Sequence, residues 1–393
     1  MTGHNGYRDP RNPGGPLIPR NDWDAAPHNR WTFRNVRQMV PTAEVWRGPG
    51  PAMPLPEAPQ DMLGLPFEIE GETSSIDAFL NGSFTDGFLV LSKGRIVTEI
   101  YMDGMQRRMT HLSQSVAKSV VGTVAGILNG RGELDFAAPV TDYLPELGVT
   151  AYRGASVRQV MDMTSGVLFD ETYTSPDSHI AKTDRACGWK EPVPGWPETM
   201  WQAVLELTEA EASHGASFRY RSIETDVIGF ILQRISGLML PELVSRELWM
   251  PMGAEEDAYF TVDRAGYGLA DGGFNATLRD YARFGQLIAN GGTAHGRQIV
   301  PRAFIEDLPN GNHAIFGADY RIVLPHGAYH NQFWIEEAGK PVMMCRGVFG
   351  QLIYIDRAAD FVAVKLSTWP EFTNPRRTRT ALAAVRAIRA ALG

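Results

Sequence analysis

An α+β fold, with one antiparallel sheet flanked by helices and a mainly helical second lobe, follows from three features of this 393-residue sequence. Apolar, β-branched runs that read as strands lie towards both ends of the chain. A helix apolar on nearly every side, hence buried, follows the first strands. The middle mixes helix-forming stretches with prolines. Strands near both ends share one sheet, so the middle forms a lobe of its own, and a cleft between lobes is where ligands tend to bind.

Taken in order, residues 1–65 carry Pro10, Pro13, Pro16, Pro19, Pro51, Pro54, Pro56 and Pro59. Proline breaks helices and cannot donate to a sheet, so this segment is expected to wrap a surface as an irregular arm. Residues 66–133 and 259–393 are assigned to the sheet lobe and residues 134–258 to the helical lobe. Gly87-Phe-Leu-Val-Leu-Ser and Arg95-Ile-Val-Thr-Glu-Ile-Tyr predict a hairpin turning at Lys93-Gly94. Ser115 to Asn129 predicts the buried helix, with Gly130 as its left-handed cap. Thr277-Leu-Arg-Asp280 starts a further helix, and Gly291-Gly292 stops it. Gln351-Leu-Ile-Tyr-Ile and Phe361-Val-Ala-Val-Lys-Leu form a second hairpin, and Arg376 to Leu392 an amphipathic helix. No internal repeat is visible.

With 44% hydrophobic and 21% charged residues the chain can bury a large core and reads as soluble and globular. Its net charge of −8 arises without acidic blocks, and no basic face or stripe is visible, which argues against nucleic acid as a partner. Met1 to Arg20 has no apolar core of the kind a signal peptide or membrane anchor needs, so a cytoplasmic location is expected. Cys187 and Cys345 are too few for a disulfide framework and are expected to be reduced, structural or pocket-lining.

The chemistry centres on Ser115 and Lys118. A serine hydroxyl is a weak nucleophile until a base assists it, and a lysine whose pKa is lowered by burial or by another cation can do so. Ser-x-x-Lys at a helix start places both side chains on one face. Backbone N–H groups at the same helix end can stabilise an oxyanion. With six lysines and 17 serines in the chain, the spacing arises by accident in roughly one such chain in four. Context raises it above chance: Lys118 is a charge inside an apolar helix, and a buried lysine is costly unless neutral or partnered. Its protonation state stays open.

Along the chain, Pro27-His-Asn-Arg-Trp-Thr-Phe, Ser113-Gln-Ser-Val-Ala-Lys-Ser, Val157-Arg-Gln-Val-Met-Asp-Met-Thr-Ser-Gly166, Asp184-Arg-Ala-Cys-Gly-Trp189, Phe218-Arg-Tyr-Arg-Ser and Gly347-Val-Phe-Gly-Gln351 occur in that order. In these motifs the chain resembles the serine beta-lactamase, penicillin-binding protein and family VIII esterase superfamily, and more closely the 6-aminohexanoate-dimer (nylon-oligomer) hydrolases. The resemblance covers nearly the whole chain. It implies the beta-lactamase-like (transpeptidase) fold and a catalytic tyrosine from the helical lobe at Tyr220, in Tyr220-Arg221-Ser222. A phenol beside an ammonium loses its proton more easily, and Tyr220 would then pass protons between Ser115 and the leaving group.

The superfamily's third element, Lys-Thr-Gly on a strand, falls on Cys345-Arg346-Gly347. A main-chain donor needs no particular side chain, so the N–H of Val348 is expected to complete an oxyanion hole with that of Ser115. The register Val348-Phe349-Gly350 would place the second donor at Gln351 instead. Cys345 cannot supply the charge that holds a beta-lactam carboxylate, and Arg346 supplies it only if it points inward. Beta-lactams are therefore poor substrate candidates, and Ser222 rather than asparagine at the third position of a motif that is Tyr-x-Asn or Tyr-x-Ser in the superfamily points the same way.

Resemblance to the nylon-oligomer hydrolases implies an acyl pocket lined by Tyr173, Asp184, Trp189, Asp271 and Trp334, with Gly347 also in the substrate-binding set. A carboxylate in a partly desolvated pocket attracts an ammonium, which makes Asp184 a candidate anchor. The bland alternatives are an ion pair of Asp184 with Arg185, two core tryptophans and an exposed Tyr173. Asp271 either strengthens cation binding or raises the pKa of Asp184. His326-Gly-Ala-Tyr-His330 has helical ligand spacing, but Pro325 and Gly327 oppose a helix, so no metal is expected. Gly266-Tyr-Gly-Leu-Ala-Asp-Gly-Gly reads as a loop rather than a dinucleotide site, and no Gly-x-Ser-x-Gly elbow is present.

The sequence thus predicts a serine hydrolase forming an acyl-enzyme on Ser115, with Lys118 and Tyr220 handling protons and no cofactor. Its partners would be small-molecule amides or esters, with no membrane involved, and resemblance implies a homodimer. Linear amides such as 6-aminohexanoate oligomers lead the substrates. A promiscuous carboxylesterase and a slowly acylated beta-lactam-binding protein are the alternatives.

Overall fold

The computed structural model describes Arg8, residues 13–15 and residues 17–393. The reading of Met1–Arg20 as free of an apolar leader falls mostly outside these residues. A seven-stranded antiparallel sheet forms the centre. Its order is Ala328–His330, Phe333–Ile335, Val342–Gly347, Gln351–Asp356, Phe361–Ser367, Thr85–Ser92, Arg95–Tyr101. Early and late strands meet where Thr85–Ser92 pairs with Phe361–Ser367, as the clustering of strands towards both ends of the sequence required. The first hairpin turns at Lys93 (φ 52°) and Gly94 (φ 71°). Two consecutive left-handed residues match the right-handed twist of the flanking strands.

Period-two alternation sends successive side chains to opposite faces of this sheet. Leu89, Leu91, Ile353, Ile355, Val362 and Val364 join one core, with the helices Val116–Gly130 and Leu278–Ala289. Phe88, Val90, Leu352, Tyr354 and Ala363 join the other, with Leu382, Val385 and Ile388 of the tail helix Pro375–Leu392. Each such aliphatic or aromatic side chain stabilises the fold by about 1.5–3 kcal/mol when fully buried.

The helix after the first strands is buried from Val116 through Leu128, as its composition predicted. Its end differs from expectation. The helix runs through Gly130, and the left-handed residue is Gly132 at φ 76°. Gly130 is small for another reason, since a Cβ there would sit 2.3 Å from Pro301. The later helix starts as read, with Thr277 accepting from the Asp280 N–H.

Between the two sheet segments lie short helices, His179–Ala186 and Met200–Leu205 among them, and the longer Ile223–Ser236. A second, four-stranded antiparallel sheet runs Thr42–Val45, Ala258–Thr261, Phe274–Thr277, Thr110–Leu112. The expected irregular arm therefore contributes an edge strand, made possible by the proline-free stretch after Pro41. Nor does it lie wholly on the surface. Trp23 is fully buried and its indole N–H donates to the Trp189 carbonyl at 2.9 Å. Among the described residues no single helix is long and apolar enough to cross a membrane.

Candidate active site

The edge strand Thr110–Leu112 leads straight into the turn that carries Ser115. Ser113 fixes that turn by donating from both N and Oγ to the Phe274 carbonyl, each at 2.9 Å. Gln114 then adopts φ 51°, a left-handed conformation that costs a non-glycine residue on the order of 1–3 kcal/mol. The kink places Ser115 at the start of the helix Val116–Gly130 with 9% of its surface exposed, enough for a reactant to touch. Ser115 Oγ accepts from Lys118 Nζ at 3.1 Å, and the same ammonium donates to the Asp271 carbonyl at 2.6 Å.

Tyr220 comes from the chain just before the helix Ile223–Ser236, and its hydroxyl hydrogen-bonds to both Ser115 and Lys118. The ring stacks on Trp334, with centroids 5.3 Å apart and planes 21° from parallel. Beneath it lies a residue the sequence reading missed. Glu171 accepts from the Ser222 N–H at 2.8 Å, from the Ser222 hydroxyl, and from the Tyr173 hydroxyl at 2.8 Å. It therefore holds the Tyr220-Arg221-Ser222 segment against the loop of Tyr173. Its only sequence signal was proximity to Tyr173, because the partner segment lies about fifty residues away.

Burial disfavours the Lys118 ammonium, but Tyr220, Asp271, Glu171 and Asp226 more than offset this, and its pKa lies above the ordinary lysine value. Burial likewise raises the Tyr220 phenol, against the pull of Lys118. The sequence expectation of a phenol that ionises easily is corrected: desolvation outweighs the adjacent cation. When it does lose its proton, such a phenolate is a strong base.

The third element approaches from the strand Val342–Gly347. Strand alternation sends Cys345 into the core under the Ser115 helix, where its thiol bonds to Ser119, and Arg346 to the opposite face. Gly347 touches the turn before Ser115. A Cβ there would lie 2.4 Å from the Ser113 carbonyl oxygen and 3.0 Å from Gln114 Cβ. Gly347→Ala is expected to push the strand from Ser115, lowering kcat by on the order of 100-fold, and to lower the melting temperature as well, since relieving a backbone clash costs about 1–3 kcal/mol. Stopped assays beside a thermal melt check this. Among the described residues, the amides of Ser115 and Val348 have no acceptor. Gln351 pairs with Gly347 in the ladder, and its side chain is bound to the carbonyls of Val348, Phe349 and Ser367.

Ser115 lies where two cavities meet. The narrow one, about 40 Å³, is lined by Asp24, Asp184, Cys187, Trp189 and Asp271. The wide one, about 490 Å³, is lined by Tyr220, Tyr320, Trp334, Arg346 and Gly347. Tyr173 and Val348 border both. The expected single acyl pocket is thus divided, with Trp334 on the other side of Ser115 from Asp184, Trp189 and Asp271. Tyr173 is not exposed; it stacks on Phe372 at 5.0 Å.

The partner of Asp184 is Lys190 at 3.7 Å, not Arg185, whose guanidinium donates to the Ala181 carbonyl. Lys190 also binds Asp24 at 3.2 Å, so the arm contributes a carboxylate that the sequence reading did not foresee. Burial pushes the Asp184 carboxyl up to about 7 against the pull of Lys190, with Asp24 and Asp271 adding to the rise. Of the two roles open to Asp271, this is the second: it acts to raise the Asp184 pKa. His330 is held between Asp162 and Asp307, each at 2.9 Å, on the strand Ala328–His330. Among the described residues, no group of three or more His, Cys, Asp or Glu could hold a metal ion.

The fold and the serine site define a serine hydrolase of the beta-lactamase-like class. The beta-lactamase family pattern matches residues 82–387, and the chain belongs to that family. It is 36% identical over 352 residues to the 6-aminohexanoate-dimer hydrolase of Paenarthrobacter ureafaciens, covering 89% of this chain and 88% of that one. A solved structure assigned as a 6-aminohexanoate-dimer hydrolase from Bacillus anthracis superposes with a TM-score of 0.87 at 26% identity, covering 98% of both chains. A family VIII carboxylesterase shares the fold, with a TM-score of 0.59 and 17% identity over 79% of this chain and 96% of that one.

Proposed function

We propose that this hydrolase cleaves linear amides of the 6-aminohexanoate type through an acyl-enzyme on Ser115, and short-chain esters as well. Ser115 Oγ attacks the carbonyl from the minor form of the site in which Tyr220 has lost its proton beside the Lys118 ammonium, and the Tyr220 phenolate oxygen takes the proton from Oγ. The oxyanion forms against the free amides of Ser115 and Val348. Tyr220 then returns the proton to the leaving nitrogen, and water repeats the cycle on the ester. The observation that carries the substrate assignment is the acidic narrow cavity. Asp24 and Asp184 face a single lysine, so a substrate ammonium completes the charge balance.

A substrate panel tests this reading: 6-aminohexanoate dimer, a p-nitrophenyl ester and a cephalosporin. Turnover of the dimer and the ester is expected; the cephalosporin tests a beta-lactam directly, because Arg346 borders the wide cavity and so meets the inward orientation on which holding a beta-lactam carboxylate depended. Ester turnover without the dimer would favour a promiscuous carboxylesterase, which the shared fold of a family VIII carboxylesterase makes the second reading. A persistent adduct by intact mass would instead make it a slowly acylated binding protein.

A further inference from the structure

The wide cavity contains a charge that the reaction described above does not use. Arg346 sits on its wall, half-buried, with its guanidinium 4.8 Å over the ring of Trp334. Trp334 stacks in turn on Tyr220. Most arginines bordering the site are spent: Arg219 and Arg221 pair with Glu211, and Arg185 bonds to a carbonyl. Arg346 differs. Among the described residues its guanidinium has no hydrogen-bond or ion-pair partner, and its contact is with the aromatic face of Trp334. Withdrawal from water lowers its pKa to about 10, which still leaves it cationic at neutral pH. A planar fork of donors, pre-oriented by an aromatic face and left unpaired, matches a carboxylate.

The position of that fork relative to Ser115 gives it meaning. The narrow cavity on one side of Ser115 is acidic, through Asp24, Asp184 and Asp271. The wide cavity on the other side presents Arg346, next to the phenol that would hand a proton to the leaving group. The acyl portion of a substrate occupies one side of the scissile bond and the leaving group the other. We infer that Arg346 is a specificity residue that binds a carboxylate on the leaving group, so that the enzyme selects substrates cationic at the acyl end and anionic at the leaving end. This rests on the acyl-enzyme reading above and adds the second half of the substrate. Three carboxylates border the wide cavity: Glu171 is turned to Ser222 and Tyr173, Asp170 caps Thr172, and Asp319 is exposed and makes no ion pair with Arg346.

The test compares leaving groups that share one 6-aminohexanoyl acyl part. The amide pair ends in 6-aminohexanoate or its neutral carboxamide; the ester pair ends in 6-hydroxyhexanoate or its carboxamide. The quantity read is the carboxylate-to-carboxamide ratio of kcat/KM. A wild-type ratio of about tenfold or more, carried by KM and shrinking at high salt, is expected. Arg346→Gln should bring the ratio close to one, and Arg346→Lys should retain part of it. A purely structural Arg346 would change stability and all rates together, leaving the ratio intact. A wild-type ratio near one, or an unchanged ratio in Arg346→Gln, overturns the inference; should that variant misfold, the wild-type ratio and Arg346→Lys still decide. If esters show the preference and no amide is cleaved, the amide reading fails and the Arg346 inference stands. Amides cleaved without preference give the reverse.

Discussion

Ser115→Ala is expected to abolish acyl-enzyme formation and to lower kcat/KM at least about 10⁴-fold on every substrate, because the nucleophile and its proton acceptors act as one unit. Intact-mass measurement during turnover should find an acyl adduct on the wild type and none on the variant. Stability should barely move. The hydroxyl is a hydrogen-bond acceptor for Lys118, which keeps the Asp271 carbonyl as a second partner at 2.6 Å. Full activity in Ser115→Ala would remove the nucleophile assignment altogether. Because Lys118 and Tyr220 contact the same oxygen, either of their losses should cost nearly as much as Ser115 itself.

The second large effect concerns charge in the narrow cavity. Asp184→Asn is expected to raise KM for substrates with an acyl-end ammonium by about 10- to 100-fold, the loss of a charge-assisted hydrogen bond, and to leave neutral esters much less affected. With its carboxyl near pH 7, Asp184 ionises as pH rises through that value. The ratio of cationic to neutral substrate turnover should therefore climb between pH 6 and 8 in the wild type and stay flat in Asp184→Asn. Asp271→Asn removes one cause of the upward shift and should move that climb to lower pH. Stability runs the opposite way. The folded pKa lies above the unfolded value near 3.8, so this group's contribution is present at low pH and is lost as pH rises towards 7. Asp184→Asn should accordingly melt higher than wild type at pH 8. A flat wild-type profile would show that no ammonium is held there.

Local features were legible in the sequence because their causes are local. The Lys93-Gly94 turn, the Thr277 cap and the alternation in Gln351–Ile355 and Phe361–Leu366 depend on neighbours a few residues away. So does the Ser115-to-Lys118 spacing, which one helical turn converts into a contact. The misreadings share the opposite cause. Gly130 fitted a helix cap by position, yet its smallness is needed for Pro301, far along the chain. A proline-rich arm looked like surface wrapping, yet it delivers Asp24 to the wall of the narrow cavity and packs Trp23 behind it on Trp189.

By itself, then, the sequence determined the fold class through periodicity and the family through ordered motifs, and through that resemblance it pointed to Ser115, Lys118 and Tyr220 as the proposed catalytic trio. Only the tertiary structure decided which charges face one another. It turned Cys345 into the core and Arg346 into the wide cavity, brought Glu171 to Ser222, and set Lys190 between Asp24 and Asp184. Electrostatic energy depends on through-space distance and burial, and neither is encoded in separation along the chain. That is why burial raised Tyr220 where a neighbouring cation alone would have lowered it.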